Sequence, residues 1–96
     1  MLTRKKTVRK HIRFYGRVQA VGFRYYALNA ARLYGATGWV QNEYDDSVTM
    51  EIQGTEAQID DVIAAIRRGT YVRIDYMDVR EIDLEPDERG FRVRYY

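Results

Sequence analysis

The stretch Phe14-Tyr15-Gly16-Arg17-Val18-Gln19-Ala20-Val21-Gly22-Phe23-Arg24 restricts the fold more than any other part of this chain. It leaves an alternating apolar run, passes two glycines and enters a helical pattern. A strand, a tight loop and a helix start in that order make an anion site. The first N–H groups of a helix lack internal partners and carry the positive end of its dipole. Arg24, in the first turn, adds a planar fork of donors suited to phosphate or carboxylate. No acidic residue in the stretch competes with such a ligand.

The flanking sequence supplies the scaffold. Lys10–Gly16 alternates, with Ile12 and Phe14 on one side and His11, Arg13 and Tyr15 on the other, as a half-buried strand does. Gly22–Tyr34 has helical periodicity, with Phe23, Ala27, Ala30, Ala31 and Tyr34 on one stripe and Gly35 as its stop. Arg24, Leu28 and Arg32 share the adjacent face. Thr37–Glu43 and Val48–Gly54 read as a β-hairpin turning across residues 44–47. Thr55-Glu56-Ala57-Gln58 is a capping box that opens a second helix carrying Ile59, Val62, Ile63 and Ile66. Val72–Leu84 is strand-like with a slip of phase that predicts a bulge, and Phe91–Tyr95 is a last alternating strand. The order β-α-β-β-α-β plus a short terminal strand predicts an α+β, ferredoxin-like split βαβ sandwich, with two helices on one face of a mainly antiparallel sheet.

Composition narrows the chemistry. There is no cysteine, so thiolate catalysis and zinc–thiolate sites are excluded. No apolar run approaches a membrane span and the basic start has no apolar signal core, so a cytoplasmic protein without a membrane partner is expected. Residues 1–42 hold nine Lys/Arg and no Asp/Glu, whereas residues 43–96 hold seven against fourteen. A basic half around the loop favours an anionic ligand. Residues 1–9 are expected to form a flexible basic tail, leaving 10–96 as a single domain. His11 has no carboxylate or serine neighbour in sequence and reads as a solvent-side strand residue. The carboxylates at Asp75, Asp78, Glu81, Asp83 and Glu85 read as a solvated edge rather than a metal site.

Gly16-Arg17-Val18-Gln19, Val21-Gly22-Phe23-Arg24 and the later Gly38-Trp39-Val40-Gln41-Asn42 together resemble the paired signatures of the acylphosphatase family. The likeness runs from about His11 to Tyr96 and includes Phe91-Arg92-Val93-Arg94-Tyr95. It implies a hydrolase of the carboxyl–phosphate bond of small acyl phosphates that needs no metal and no cofactor. By the family pattern, Arg24 and the Gly16–Gly22 loop (Gly16, Arg17, Val18, Gln19, Ala20, Val21 and Gly22) bind the phosphate, and Asn42 positions the water. Inorganic phosphate is then product and inhibitor, and a monomer without nucleic-acid partners is expected. The chemistry is consistent with the residues. An amide cannot act as a base but can orient water, and this suffices when the leaving group is a carboxylate that needs no protonation.

Two positions depart from the family pattern, Ala20 and Asp46, where glycine is usual. If the loop requires a left-handed residue at 20, alanine is strained by about 1–2 kcal/mol and activity is weakened. Two alternatives follow: a weak or inactive phosphate-binding domain, and an RNA-binding module of the same fold. Against the second, Val48–Gln53 contains no aromatic residue.

Overall fold

The computed structural model describes residues 5–95. Strand β1 spans Thr7–Arg17, helix α1 Phe23–Tyr34, β2 Thr37–Asn42, β3 Val48–Thr55, α2 Glu56–Arg67, β4 Arg73–Ile82 and β5 Phe91–Val93. The sheet order is β4-β1-β3-β2-β5. All pairings are antiparallel except β2 with β5. This is the predicted ferredoxin-like plan, with the short terminal strand added along the outer edge of β2.

The core forms where the alternating faces meet the helical stripes. β1 contributes Val8, Ile12 and Phe14, β3 contributes Val48, Met50 and Ile52, and the helices bring Phe23, Ala27, Ile59 and Ile66, all buried. Phe14 and Phe23 pack edge to face with centroids 4.8 Å apart, locking the start of α1 onto β1. The small alanines of α1 let it lie close to the sheet and to α2. The capping box forms as expected: Thr55 Oγ1 accepts from the Gln58 N–H, and Gln58 Oε1 accepts from the Thr55 N–H. The slip of phase in β4 is a bulge, where pairing moves from Tyr15–Tyr76 to Gly16–Ile74. A side chain at Gly16, φ 135°, would meet the Arg73 carbonyl at 2.3 Å, so glycine is required where β1 swings off β4 into the loop.

The expected tail boundary is corrected. β1 begins at Thr7, and Val8 and Arg9 are both buried. Arg9 is only 2% exposed because two carboxylates distant in sequence compensate its charge, Glu88 at 2.7 Å and Glu51 at 3.1 Å. Lys5 and Lys6 precede the strand and are exposed, and residues 1–4 of the expected tail lie outside the described residues. His11 also has a partner that its sequence neighbours do not supply: its Nδ1 lies 2.7 Å from Glu51 Oε2 on the adjacent strand. No helix among the described residues is long and apolar enough to cross a membrane.

Candidate active site

The two helices differ at their N-termini, and the difference marks the site. α2 is closed by Thr55 and carries Glu56 in its first turn. α1 begins at Gly22, φ 85°, with no side-chain cap and no acid in its first turn. Its first N–H groups therefore have no side-chain acceptor, and the positive end of its dipole is unopposed. Gly22 suits this place because its left-handed conformation is disfavoured for residues with a side chain. Ala20 is left-handed too, with φ 60°. Left-handed residues at 20 and 22, with Val21 between them, curve the backbone in the manner of anion-binding concavities.

A cleft of about 300 Å³ opens over this loop, and Val18, Ala20, Gly22, Arg24 and Asn42 all border it. The structure thus brings together the arginine of α1 and the asparagine that ends β2, as the sequence anticipated. Asn42 Oδ1 is buried with no hydrogen-bond partner among the described residues. A buried amide oxygen in this state has an unused acceptor site. Arg24 makes no ion pair among the described residues, and its guanidinium stacks over the Tyr95 ring at 5.4 Å.

Gly16, Arg17 and Gln19 border a neighbouring depression with Asp46 and Arg73, and Val18 and Ala20 line both hollows. Val21 packs partly against the core. The Gln19 side chain donates to the backbone carbonyls of Glu43, at 2.8 Å, and Ser47, at 2.9 Å. It therefore ties the loop to the turn of the β2–β3 hairpin, just beyond Asn42. That turn is braced from β1 as well. Arg13 donates to Ser47 Oγ at 2.8 Å and to Asp45 Oδ2 at 2.9 Å. Hydrogen bonds from the Ser47 hydroxyl, then from its backbone N–H and from Arg13, pull the Asp45 carboxyl down to about 2. Burial of Glu43 opposes its ionisation, but hydrogen bonds from Thr49 and Gln41 outweigh it and hold the carboxyl below its ordinary value.

Sequence reasoning did not assign the walls of the cleft. Leu28 stands one helical turn beyond Arg24, and Val93 and Tyr95 enter from the C-terminal segment. The signal was present in the alternating run from Phe91 to Tyr95, but its pairing beside β2 had to be known to place it. Among the described residues, no group of three or more His, Asp or Glu gathers as a metal cluster. The open face of β3 presents Thr49, Glu51 and Gln53, none of them aromatic.

The family model described as acylphosphatase matches residues 10–93. The acylphosphatase of Geobacillus thermodenitrificans is 40% identical over 88 residues, covering 91% of this chain and 94% of that protein. The crystal structure of acylphosphatase from Bacillus subtilis superposes with a TM-score of 0.83 at 28% identity, over 92% of this chain and 99% of that one. An acylphosphatase structure from Coxiella burnetii gives 0.82 at 28% identity, over 97% and 100%.

Proposed function

The chain belongs to the acylphosphatase family, and from that premise we propose that it hydrolyses small acyl phosphates to a carboxylate and inorganic phosphate at the cleft between the 18–22 loop, Arg24 and Asn42. Backbone N–H groups of the loop and of the α1 N-terminus, together with Arg24, hold the nonbridging oxygens, where charge must be stabilised as the bond to phosphorus breaks. Water bound at Asn42 attacks phosphorus, and the bond to the carboxyl oxygen breaks with its electron pair leaving on the carboxylate. The water's proton passes to a phosphate oxygen of the substrate, so no side-chain base is required. Inorganic phosphate, sharing the cradle, is a product inhibitor. The reading is of a monomeric, cytoplasmic, metal-independent enzyme.

The observation that carries the water position is the unpartnered, buried Asn42 Oδ1 at the edge of a cleft that also contains Arg24. The test is hydrolysis of benzoyl phosphate in the presence of EDTA by the parent and its variants. Turnover is expected to survive chelation. Arg24→Ala should lower kcat/KM by about 10²–10³-fold or more, and Arg24→Lys should not restore it because the bidentate fork is lost. Asn42→Ala should lower kcat by about 10²-fold through misplacement of the water. A parent without turnover, or an Asn42→Ala enzyme with undiminished kcat, would overturn the assignment.

A further inference from the structure

We propose that the slot formed by Leu28, Val93 and Tyr95 selects acyl phosphates with an apolar acyl group, Leu28 and Val93 being the residues that set this specificity. The inference rests on the reading above, in which the phosphoryl end occupies the loop and Arg24. From that end the same cleft continues along α1 past Leu28 and along β5 past Val93, with Tyr25 and Tyr95 at its rim. Leu28 and Val93 are partly buried against the core, so each presents an apolar surface from a fixed support. Among the described residues lining this cleft none carries a carboxylate, and Arg24, committed to phosphate, is the one cation.

The nearest candidate for a second anion-binding group is Arg94, which borders an adjoining hollow with Arg24, Asn42 and Tyr95. Its guanidinium is engaged elsewhere, lying 4.1 Å from the centre of the Trp39 ring. Trp39 and Asn42 are three residues apart on one strand, so they point to opposite faces of the sheet. Arg94 thus borders the hollow beside Arg24 and Asn42, which Leu28 and Val93 do not line, with its guanidinium held against Trp39. A terminal carboxylate on the acyl group would be desolvated against Leu28 and Val93, neither of which donates a hydrogen bond, and an alkyl chain or ring would gain by burial.

The test is a series of straight-chain acyl phosphates from acetyl to hexanoyl, assayed for kcat/KM against succinyl phosphate. The carboxylate leaving groups of the alkanoyl series have nearly equal basicity, so differences in rate report binding of the chain. We expect kcat/KM to rise about two- to fourfold per methylene until the slot is filled. Succinyl phosphate should fall about tenfold or more below butyryl phosphate, which has the same number of carbons. Leu28→Ala should cut the hexanoyl-to-acetyl ratio about fivefold. Val93→Thr keeps the volume, adds a hydroxyl, and should reduce the same ratio if the truncated variant does not fold. A flat chain-length profile, succinyl phosphate matching butyryl phosphate, or ratios unmoved in the folded variants would each overturn the specificity while leaving the hydrolase reading intact. Absence of Arg24-dependent turnover of acetyl phosphate would overturn both.

Discussion

Residue 20 shows how a single methyl group bears on the anion cradle. Ala20 has φ 60°, in the region where a Cβ crowds the backbone and glycine is at ease. Strain there is about 1–2 kcal/mol, partly offset because alanine restricts the unfolded chain by about 0.4–1 kcal/mol relative to glycine. Ala20→Gly is therefore expected to stabilise the protein by a net of about 0.5–1 kcal/mol, and thermal unfolding should show a rise of several degrees in Tm. Asp46, φ 73°, occupies the same region in the hairpin turn. Aspartate tolerates that conformation better than alanine, so Asp46→Gly should gain less. If Ala20→Gly lowers Tm, the loop is not strained at this residue. The family pattern of the sequence raised a left-handed residue at 20 as a condition, and Ala20 adopts that conformation. The burial of Asn42 Oδ1 was not legible in the sequence, because it depends on what the fold packs around the end of β2.

At the scale of elements, the site exists because three of them are fastened at one end of the sheet. Gln19 bonds the loop to the hairpin turn, Arg13 bonds β1 to the same turn, and Phe14 packs on Phe23 where α1 begins. Helix boundaries, the capping box, the hairpin and the bulge in β4 were readable because each is encoded by neighbours within a few residues. The clamps were not. Gln19 meets partners 24 and 28 residues away, and Arg9 meets Glu88 at a separation of 79. Pairings at such distances leave no periodicity to read, which is why β1 begins earlier than its alternation suggested and why the Gln19 clamp was not foreseen. Removing the Gln19 amide should separate geometry from stability. Gln19→Ala loses two hydrogen bonds of about 0.5–1.5 kcal/mol each, leaving the fold intact at 25 °C. Its kcat should nevertheless fall about tenfold or more, since the loop and Asn42 are no longer held in register. Steady-state kinetics alongside urea unfolding reads both quantities, and an unchanged kcat would show that the two elements hold their places without the clamp.

Across the whole molecule, the charge imbalance of the sequence is offset in space along β1, and at the cleft it is not. Arg9, Lys10 and Arg13, all from the basic half, pair with Glu51 and Glu88, with Glu56 and with Asp45 of the acidic half. The antiparallel sheet makes this happen by laying β1 between β3 and β4. Arg73, beside the loop, pairs with Asp75. Arg17 and Arg24 make no ion pair among the described residues, and both stand at the loop end together with the uncapped start of α1. Two cations without an ion pair thus stand beside the proposed phosphate position. An acyl phosphate dianion approaching this end meets an attractive field of Debye range, about 30 Å in 10 mM salt and about 8 Å in 150 mM. Raising the salt over that interval should lower kcat/KM several-fold with little change in kcat, because screening weakens encounter and binding more than chemistry inside the cleft. Arg17→Gln should shallow the salt dependence of kcat/KM while the Asn42-directed step proceeds as before. Equal salt dependence in kcat and kcat/KM would instead place the screened charge in the reacting complex, and the field of the free enzyme would then contribute nothing to capture.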